Sequence, residues 1–167
     1  MARRLLLLRR QDPLMSEWPS FGPASAGGGW LVDEQLFRFL VDLELQQAQR
    51  LRYSVSVVYF DVEAPSTGNE RASAPAVAES VSRDLRGTDA VAIATDGSLA
   101  MLLVDAGTTH LPAILDRLTG RFEAIAWSAG GSSYPRTAAH SADLLRQAAD
   151  LLVRARDEGG SRLYVAS

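Results

Sequence analysis

The stretch at residues 89–104 constrains the fold more than any other part of this 167-residue chain. Two apolar runs, residues 90–94 and 99–104, flank a short polar segment that contains Asp96-Gly97. Asp-Gly accommodates the positive φ angles of a tight hairpin turn, so the pattern predicts two antiparallel strands joined by that turn. We expect the other elements of the chain to be arranged around this hairpin.

Composition restricts the classes of function. A chain of 167 residues suits one domain with a core large enough to fold alone. The net charge of -3 gives no overall basic field, so we expect no nucleic-acid partner. The absence of cysteine excludes disulfide bonds, thiolate zinc sites and cysteine nucleophiles. No apolar run is long enough to cross a bilayer, so we expect no integral membrane segment and a cytoplasmic location.

Residues 1–29 are predicted to form an N-terminal arm and a flexible linker, and residues 30–167 the folded domain. The first ten residues place four leucines between pairs of arginines, an apolar run too short for a signal peptide. Two interpretations stay open: a short arm that is flexible or docked on a partner, and a tail that binds a membrane surface or a partner. Residues 11–29 contain three prolines and a triple glycine, which favour neither a helix nor a paired strand.

Apolar periodicity predicts alternating helices and strands after residue 29. Asp33 is a suitable N-cap for the first helix, and Gly87 and Gly130-Gly131 are expected to end the second helix and a late strand. The pattern predicts an α/β (α+β) fold with a mixed, mainly antiparallel central sheet and flanking helices. Besides the hairpin, we predict helices over residues 33–52, 76–86 and 109–118 and one capped by Ser141, and strands over residues 55–62, 122–128 and 162–165.

Three short patterns keep a fixed order along the chain. Arg86-Gly-Thr-Asp89 is separated from the hairpin turn by five residues, residues 128–135 read Ser-Ala-Gly-Gly-Ser-Ser-Tyr-Pro, and residues 144–162 carry an apolar helix and a Gly-Ser-Arg ending. These resemble the RxxD inhibitory site, the S-x-G-x-A-x-x-P stretch and the closing segment of the GGDEF domain of diguanylate cyclases. Residues 30–167 are thus similar to that family, which implies a nucleotide-cyclase-like fold.

The resemblance also shows how this chain departs from the family. The signature Gly-Gly-Asp-Glu-Phe corresponds here to the hairpin turn, at Thr95, Asp96, Gly97, Ser98 and Leu99. Its two acids, which supply metal binding and catalytic charge in the family, are replaced by Gly97 and Ser98. Asp61 matches the family's metal-binding Asp, but two-metal phosphoryl transfer needs carboxylates from both strands. We therefore predict that cyclase activity is lost, that no catalytic residue, metal or cofactor is retained, and that Asp61 is vestigial.

A second departure concerns the substrate. Residues 64–75 are predicted to be a polar loop, and the resemblance implies that this loop is shorter than the family's and lacks its phosphate-contacting and guanine-reading residues. The late lysine of the family is Arg156 here, a substitution that keeps the charge but not the geometry. Binding of a nucleoside triphosphate is therefore expected to be lost together with catalysis.

Arg86 and Asp89 are what remains of the family's functional groups. The pair resembles the family's product-binding site. A guanidinium can form paired hydrogen bonds with a guanine edge or a phosphate, and a carboxylate can accept hydrogen bonds from guanine N–H groups. This implies a cyclic di-GMP receptor, with Arg83, Arg117 and Arg121 as candidate helpers. A purely structural interpretation stays open, in which Arg86 is a helix-end cation and Asp89 a turn residue. The alternative function is a non-enzymatic scaffold that forms a homodimer or docks a protein partner.

Overall fold

The computed structural model describes residues 22–23, 28–62, 73–120 and 126–167, and within these ranges it has seven strands and four helices. The strands are β1 (Gly22–Pro23), β2 (Trp30–Val32), β3 (Val55–Val62), β4 (Ala90–Ile93), β5 (Leu99–Val104), β6 (Trp127–Tyr134) and β7 (Arg162–Val165). The helices are α1 (Glu34–Leu51), α2 (Ala74–Asp84), α3 (Leu111–Thr119) and α4 (Ser141–Asp157).

The described strands form one mixed sheet in the order β1-β2-β4-β5-β3-β6-β7. The pairs β2–β4 and β6–β7 are parallel, and the other neighbouring pairs are antiparallel. The β4–β5 hairpin occupies the middle of this order, with β2 on one side and β3 on the other. The predicted mixed, mainly antiparallel sheet built around the hairpin is therefore confirmed.

Helices cover both faces of the sheet and create two hydrophobic layers. Strand β3 contributes to both layers because its side chains alternate: Val57 packs with α1 and α4, and Val58 packs with α2 and α3. This confirms the prediction of a central strand buried on both faces. The buried helical side chains include Phe37, Val41, Leu144 and Leu152 on the first face and Val77, Val81, Leu111 and Leu115 on the second.

The first helix begins as its sequence predicts. The side chain of Asp33 is the N-cap and accepts a hydrogen bond from the backbone N–H of Leu36 at 2.8 Å. The helix ends at Leu51, and Arg52 then adopts a left-handed conformation with φ of 61°. These ends place α1 across β3 and β4 and beside the hairpin turn.

The end of α2 differs from the prediction. The helix stops at Asp84, two residues early, and Leu85 leaves it with an extended backbone. Gly87 is not the helix cap, and the space that a Cβ there would occupy is free of atoms within 4 Å. The earlier stop leaves five residues between Asp84 and β4, and this α2–β4 loop carries both Arg86 and Asp89.

The late strand differs from the predicted range of residues 122–128, of which residues 122–125 lie outside the described residues. Strand β6 runs over Trp127–Tyr134, so Gly130 and Gly131 lie inside it instead of ending it. A Cβ on Gly130 would come within 2.2 Å of the carbonyl oxygen of Ala148 in α4. Glycine is needed here because the helix backbone lies directly on the strand.

The N-terminal boundary stays a prediction, because residues 1–21 and 24–27 lie outside the described residues, together with Trp18 and Phe21. The expectation that residues 11–29 hold no paired strand is wrong at Gly22–Pro23, which pairs with β2. The backbone N–H of Gly29 donates to the carbonyl of Ser82 in α2 at 2.7 Å. In the part of the chain that the structure describes, no helix has the length and apolar character needed to span a membrane.

Candidate functional site

Backbone hydrogen bonds close the hairpin turn. The backbone N–H of Gly97 donates to Ala94 at 2.9 Å, and that of Ala94 donates to Ser98 at 2.8 Å. Gly97 has a φ of 86°, the left-handed region that the Asp-Gly pattern predicts. The sequence therefore placed the turn correctly, at Thr95, Asp96, Gly97 and Ser98, with Leu99 beginning β5.

The Asp96 carboxylate faces the turn and holds it together. Its Oδ1 accepts hydrogen bonds from the backbone N–H of Ser98 at 3.0 Å and from the Ser98 hydroxyl at 2.5 Å. Burial alone would raise the pKa of the Asp96 carboxyl, but these bonds and the charge of Arg156 outweigh it, so this pKa lies below its usual value. Asp96 is therefore an anion at neutral pH.

Arg156 joins the turn to the rest of the sheet. From the last turn of α4, its Nε donates to Asp61 Oδ2 at 3.0 Å and its Nη1 donates to Asp96 Oδ2 at 3.3 Å. One guanidinium thus holds together Asp61 at the end of β3 and the carboxylate of the turn. Sequence reasoning identified Asp61 and Arg156 separately but missed this bridge, because the three residues meet only in the folded chain.

The residues at this edge do not fit a two-metal centre. Across residues 28–62, 73–120 and 126–167, the structure brings together no group of three or more His, Asp or Glu side chains suited to a metal ion. Both carboxylates that remain are engaged by Arg156. Glu63, which the sequence places near Asp61, lies outside the described residues.

A further contact ties the turn to α1. The Thr95 hydroxyl donates to Glu34 Oε2 at 2.6 Å, and Arg38 donates to the other oxygen of Glu34 at 2.8 Å. The Thr95 bond and then the Arg38 bond are the main causes that lower the pKa of Glu34. The turn is thus anchored by polar contacts to α1, β3 and α4.

Asp89 is buried at the opposite end of the hairpin. Its side chain accepts the backbone N–H of Val104 on Oδ1 and that of Arg86 on Oδ2, both at 3.0 Å. Its own carbonyl accepts the N–H of Trp30 at 2.9 Å. Burial raises the pKa of the Asp89 carboxyl, and the two backbone bonds oppose that effect. Asp89 therefore fastens the α2–β4 loop to the end of β5.

Next to this loop lies a cleft of about 530 Å³ between the α2–β4 loop, the end of β5 and α3. Arg86 is exposed at its rim, and Arg117 of α3 donates to the Asp84 carbonyl at 3.1 Å across it. His110 accepts the Gly107 N–H through Nδ1 at 3.0 Å. The polar lining residues are Arg86, Asp89, Asp105, Thr109, His110 and Arg117.

The cleft thus gathers three of the predicted ligand-site residues. Arg86, Asp89 and the candidate helper Arg117 all line it. Arg83 does not, because it pairs with Glu79 one turn earlier on the exposed side of α2. Arg121 lies outside the described residues. His110 was not among the predicted site residues, and a lone histidine in the sequence carries no signal for such a position.

No protein-family model and no curated protein matches this sequence. Solved structures do. The GGDEF domain of YfiN (TpbB) from Pseudomonas aeruginosa superposes with a TM-score of 0.71 at 18% identity, covering 81% of this chain and 90% of that one. The GGDEF domain of DgcB from Caulobacter crescentus, in complex with c-di-GMP, gives 0.70 at 14% identity, covering 86% and 94%.

A third structure is the diguanylate cyclase SiaD of Pseudomonas aeruginosa in complex with its activator SiaC. It matches with a TM-score of 0.70 at 14% identity, covering 98% of this chain and 68% of that one. At these identities the likeness concerns the fold. It confirms the nucleotide-cyclase-like architecture that the sequence predicts, and the chain has the fold of the GGDEF domains of diguanylate cyclases.

Proposed function

We propose that this protein is a catalytically inactive GGDEF-like domain that binds cyclic di-GMP in the cleft beside Arg86 and Asp89. The observation that carries the proposal is the presence of two guanidinium groups, Arg86 and Arg117, on different elements around one open cleft. A volume of about 530 Å³ suits a small-molecule ligand, since such sites measure roughly 300–1,000 Å³.

The chemistry of the cleft matches that ligand. Cyclic di-GMP carries two phosphodiester charges and two guanine edges, and guanidinium groups form paired hydrogen bonds with either. The Asp89 carboxylate lines the cleft and accepts the backbone N–H groups of Val104 and Arg86, and we assign its remaining lone pairs to guanine N–H donors. The DgcB GGDEF domain, described with c-di-GMP bound, has the same fold and supports the choice of ligand.

Arg86 is expected to dominate binding. Isothermal titration should give a dissociation constant in the micromolar range or tighter for the wild type, weakening with added salt because the contacts are charged. Arg86→Ala should weaken binding by roughly 10- to 100-fold, since hydrogen bonds to charged groups contribute about 1.5–3 kcal/mol each. Arg83→Ala is the matched control, because Arg83 pairs with Glu79 outside the cleft and should bind as the wild type does.

Two results would contradict the receptor proposal. The first is a wild-type titration with no heat at high ligand concentration. The second is an Arg86→Ala variant that binds as tightly as the wild type. Cyclic di-AMP, which keeps the phosphates and lacks the guanine edges, separates general anion binding from guanine recognition in the same assay.

Cyclase activity is expected to be absent. The two acids of the family signature are Gly97 and Ser98 here, and Arg156 engages both Asp61 and Asp96. Incubation with GTP and either Mg²⁺ or Mn²⁺ should therefore leave GTP intact when the nucleotides are separated by chromatography. Product that forms above the blank and disappears in Asp61→Asn would restore the enzyme hypothesis.

The alternative is a non-enzymatic module that docks a protein partner or a second copy. Helix α1 supports it, because Phe39, Leu43 and Leu51 are 58%, 39% and 68% exposed on its outer side. Apolar side chains grouped on one surface are typical of interaction sites. SiaD, described in complex with its activator SiaC, has the same fold. A wild-type protein that gives no heat with cyclic di-GMP would favour this alternative.

A further inference from the structure

We infer that Arg156 is a built-in cation that takes the place of a divalent metal between Asp61 and Asp96. The inference rests on the proposed loss of cyclase activity and deepens it, because it assigns that loss to the two contacts that Arg156 makes as well as to the replaced acids. Removing the guanidinium should then give this edge of the sheet an affinity for divalent cations that the wild-type protein lacks.

The geometry brings three distant parts of the chain to one point. Asp61 comes from the end of β3, Asp96 from the hairpin turn and Arg156 from the last turn of α4. The N–O distances are 3.0 Å to Asp61 and 3.3 Å to Asp96, and the side chains of Arg156, Asp61 and Asp96 are 29%, 30% and 54% exposed. The partly buried Arg156–Asp61 pair is screened less than the more exposed Arg156–Asp96 pair.

The charges of Asp61 and Asp96, which both contact Arg156, favour a cation at this position. Two carboxylates that approach one another repel, and a positive group between them removes the repulsion. Mg²⁺-type ions need oxygen ligands at about 2.0–2.1 Å in a near-octahedral arrangement. Arg156 places N–H donors against an oxygen of each carboxylate, so a metal would have to displace them and then face the displaced positive charge.

Arginine is suited to this role and lysine is not equivalent. A guanidinium stays protonated at any ordinary pH and presents donors in a planar fork, so one side chain can serve two carboxylates at once. The end of α4 also favours a cation through the helix dipole. Arg154 in the same turn is committed elsewhere, because it pairs with Glu158 and lies 4.6 Å from the centre of the Tyr164 ring.

The test uses Mn²⁺ as the probe, with the free ion counted by electron paramagnetic resonance. We expect the wild type to bind no Mn²⁺ at 1 mM metal (on the order of the weakest protein sites for divalent cations). Arg156→Gln should bind Mn²⁺ with a dissociation constant at least tenfold below that concentration. Asp96→Asn in the Arg156→Gln background should abolish the gain, because it removes one of the two ligands. Arg154→Gln is the matched control and should behave as the wild type does.

The outcomes decide the inference in either direction. Arg156→Met keeps the apolar stem, so it replaces the glutamine variant if that one does not fold. A folded neutral variant that binds Mn²⁺ no better than the wild type overturns the inference. The inference is also overturned if the wild type, with Arg156 in place, binds Mn²⁺ and Asp61→Asn removes that binding. Cyclic di-GMP binding is measured separately at the α2–β4 cleft, so a failure here is distinguishable from a failure of the receptor proposal.

Discussion

Gly130→Ala is expected to lower the free energy of unfolding by about 3 kcal/mol, the upper end of the cost of overpacking a core. A Cβ at this position would lie 2.2 Å from the Ala148 carbonyl oxygen and 2.3 Å from the Leu152 nitrogen. Both atoms belong to the backbone of α4, so the whole helix would have to shift. For a chain of this size the loss corresponds to a fall in melting temperature of roughly 6–12 °C, measured by calorimetry.

Two other glycines supply graded controls for this prediction. A Cβ on Gly131 would meet the flexible end of the Leu111 side chain at 2.7 Å, which can move, so Gly131→Ala should cost less. A Cβ on Gly87 would meet no atom within 4 Å, and Gly87→Ala should be neutral or slightly stabilising. If all three variants melted together, the close approach of α4 to β6 would not limit stability.

Asp89→Ala is expected to cost about 2–4 kcal/mol of unfolding free energy, measured by chemical denaturation. The substitution removes the acceptor of the backbone N–H groups of Val104 and Arg86. Asp89 is only 4% exposed, so water cannot readily replace its carboxylate. Each unsatisfied buried donor costs about 1–3 kcal/mol. A variant that lost ligand binding at unchanged stability would show instead that Asp89 serves the ligand alone.

Asp89→Asn is the variant to compare with the wild type. Its amide oxygen can still accept one of the two backbone N–H groups, and its amide nitrogen, itself a donor, faces the other. Burial raises the folded-state pKa of Asp89 above its ordinary value of 3.8. The titration of this group therefore adds stability below pH 3.8, and the contribution is lost as the pH rises through the folded value. The stability of the wild type relative to Asp89→Asn should accordingly decline over that interval.

Much of the fold follows from local patterns. The β4–β5 hairpin, strand β3 and the N-cap of α1 lie where the sequence predicts, because turn chemistry, apolar runs and capping depend on neighbouring residues. The predicted end of strand β6 was wrong for a different reason. Gly130-Gly131 has the sequence of a strand end, and only the position of α4 shows that it is a contact surface inside a strand.

The candidate site divides in the same way. The sequence alone gives the spacing of Arg86 and Asp89 from the turn, and both residues line one cleft. The hydrogen bond from Val104 to Asp89 could not be predicted, because it depends on the register of β5 against the preceding loop. The Arg156 bridge likewise needs three elements in place, and no local pattern encodes it.

The hairpin carries its two groups of charges at opposite ends. Strand β5 spans six residues, Leu99–Val104, or roughly 20 Å, which is more than twice the Debye length at physiological ionic strength. Exposed charges at the tip are therefore screened from those at the base. A change of charge at one extremity of the ribbon therefore has little electrostatic effect on the other, so the two ends can change independently.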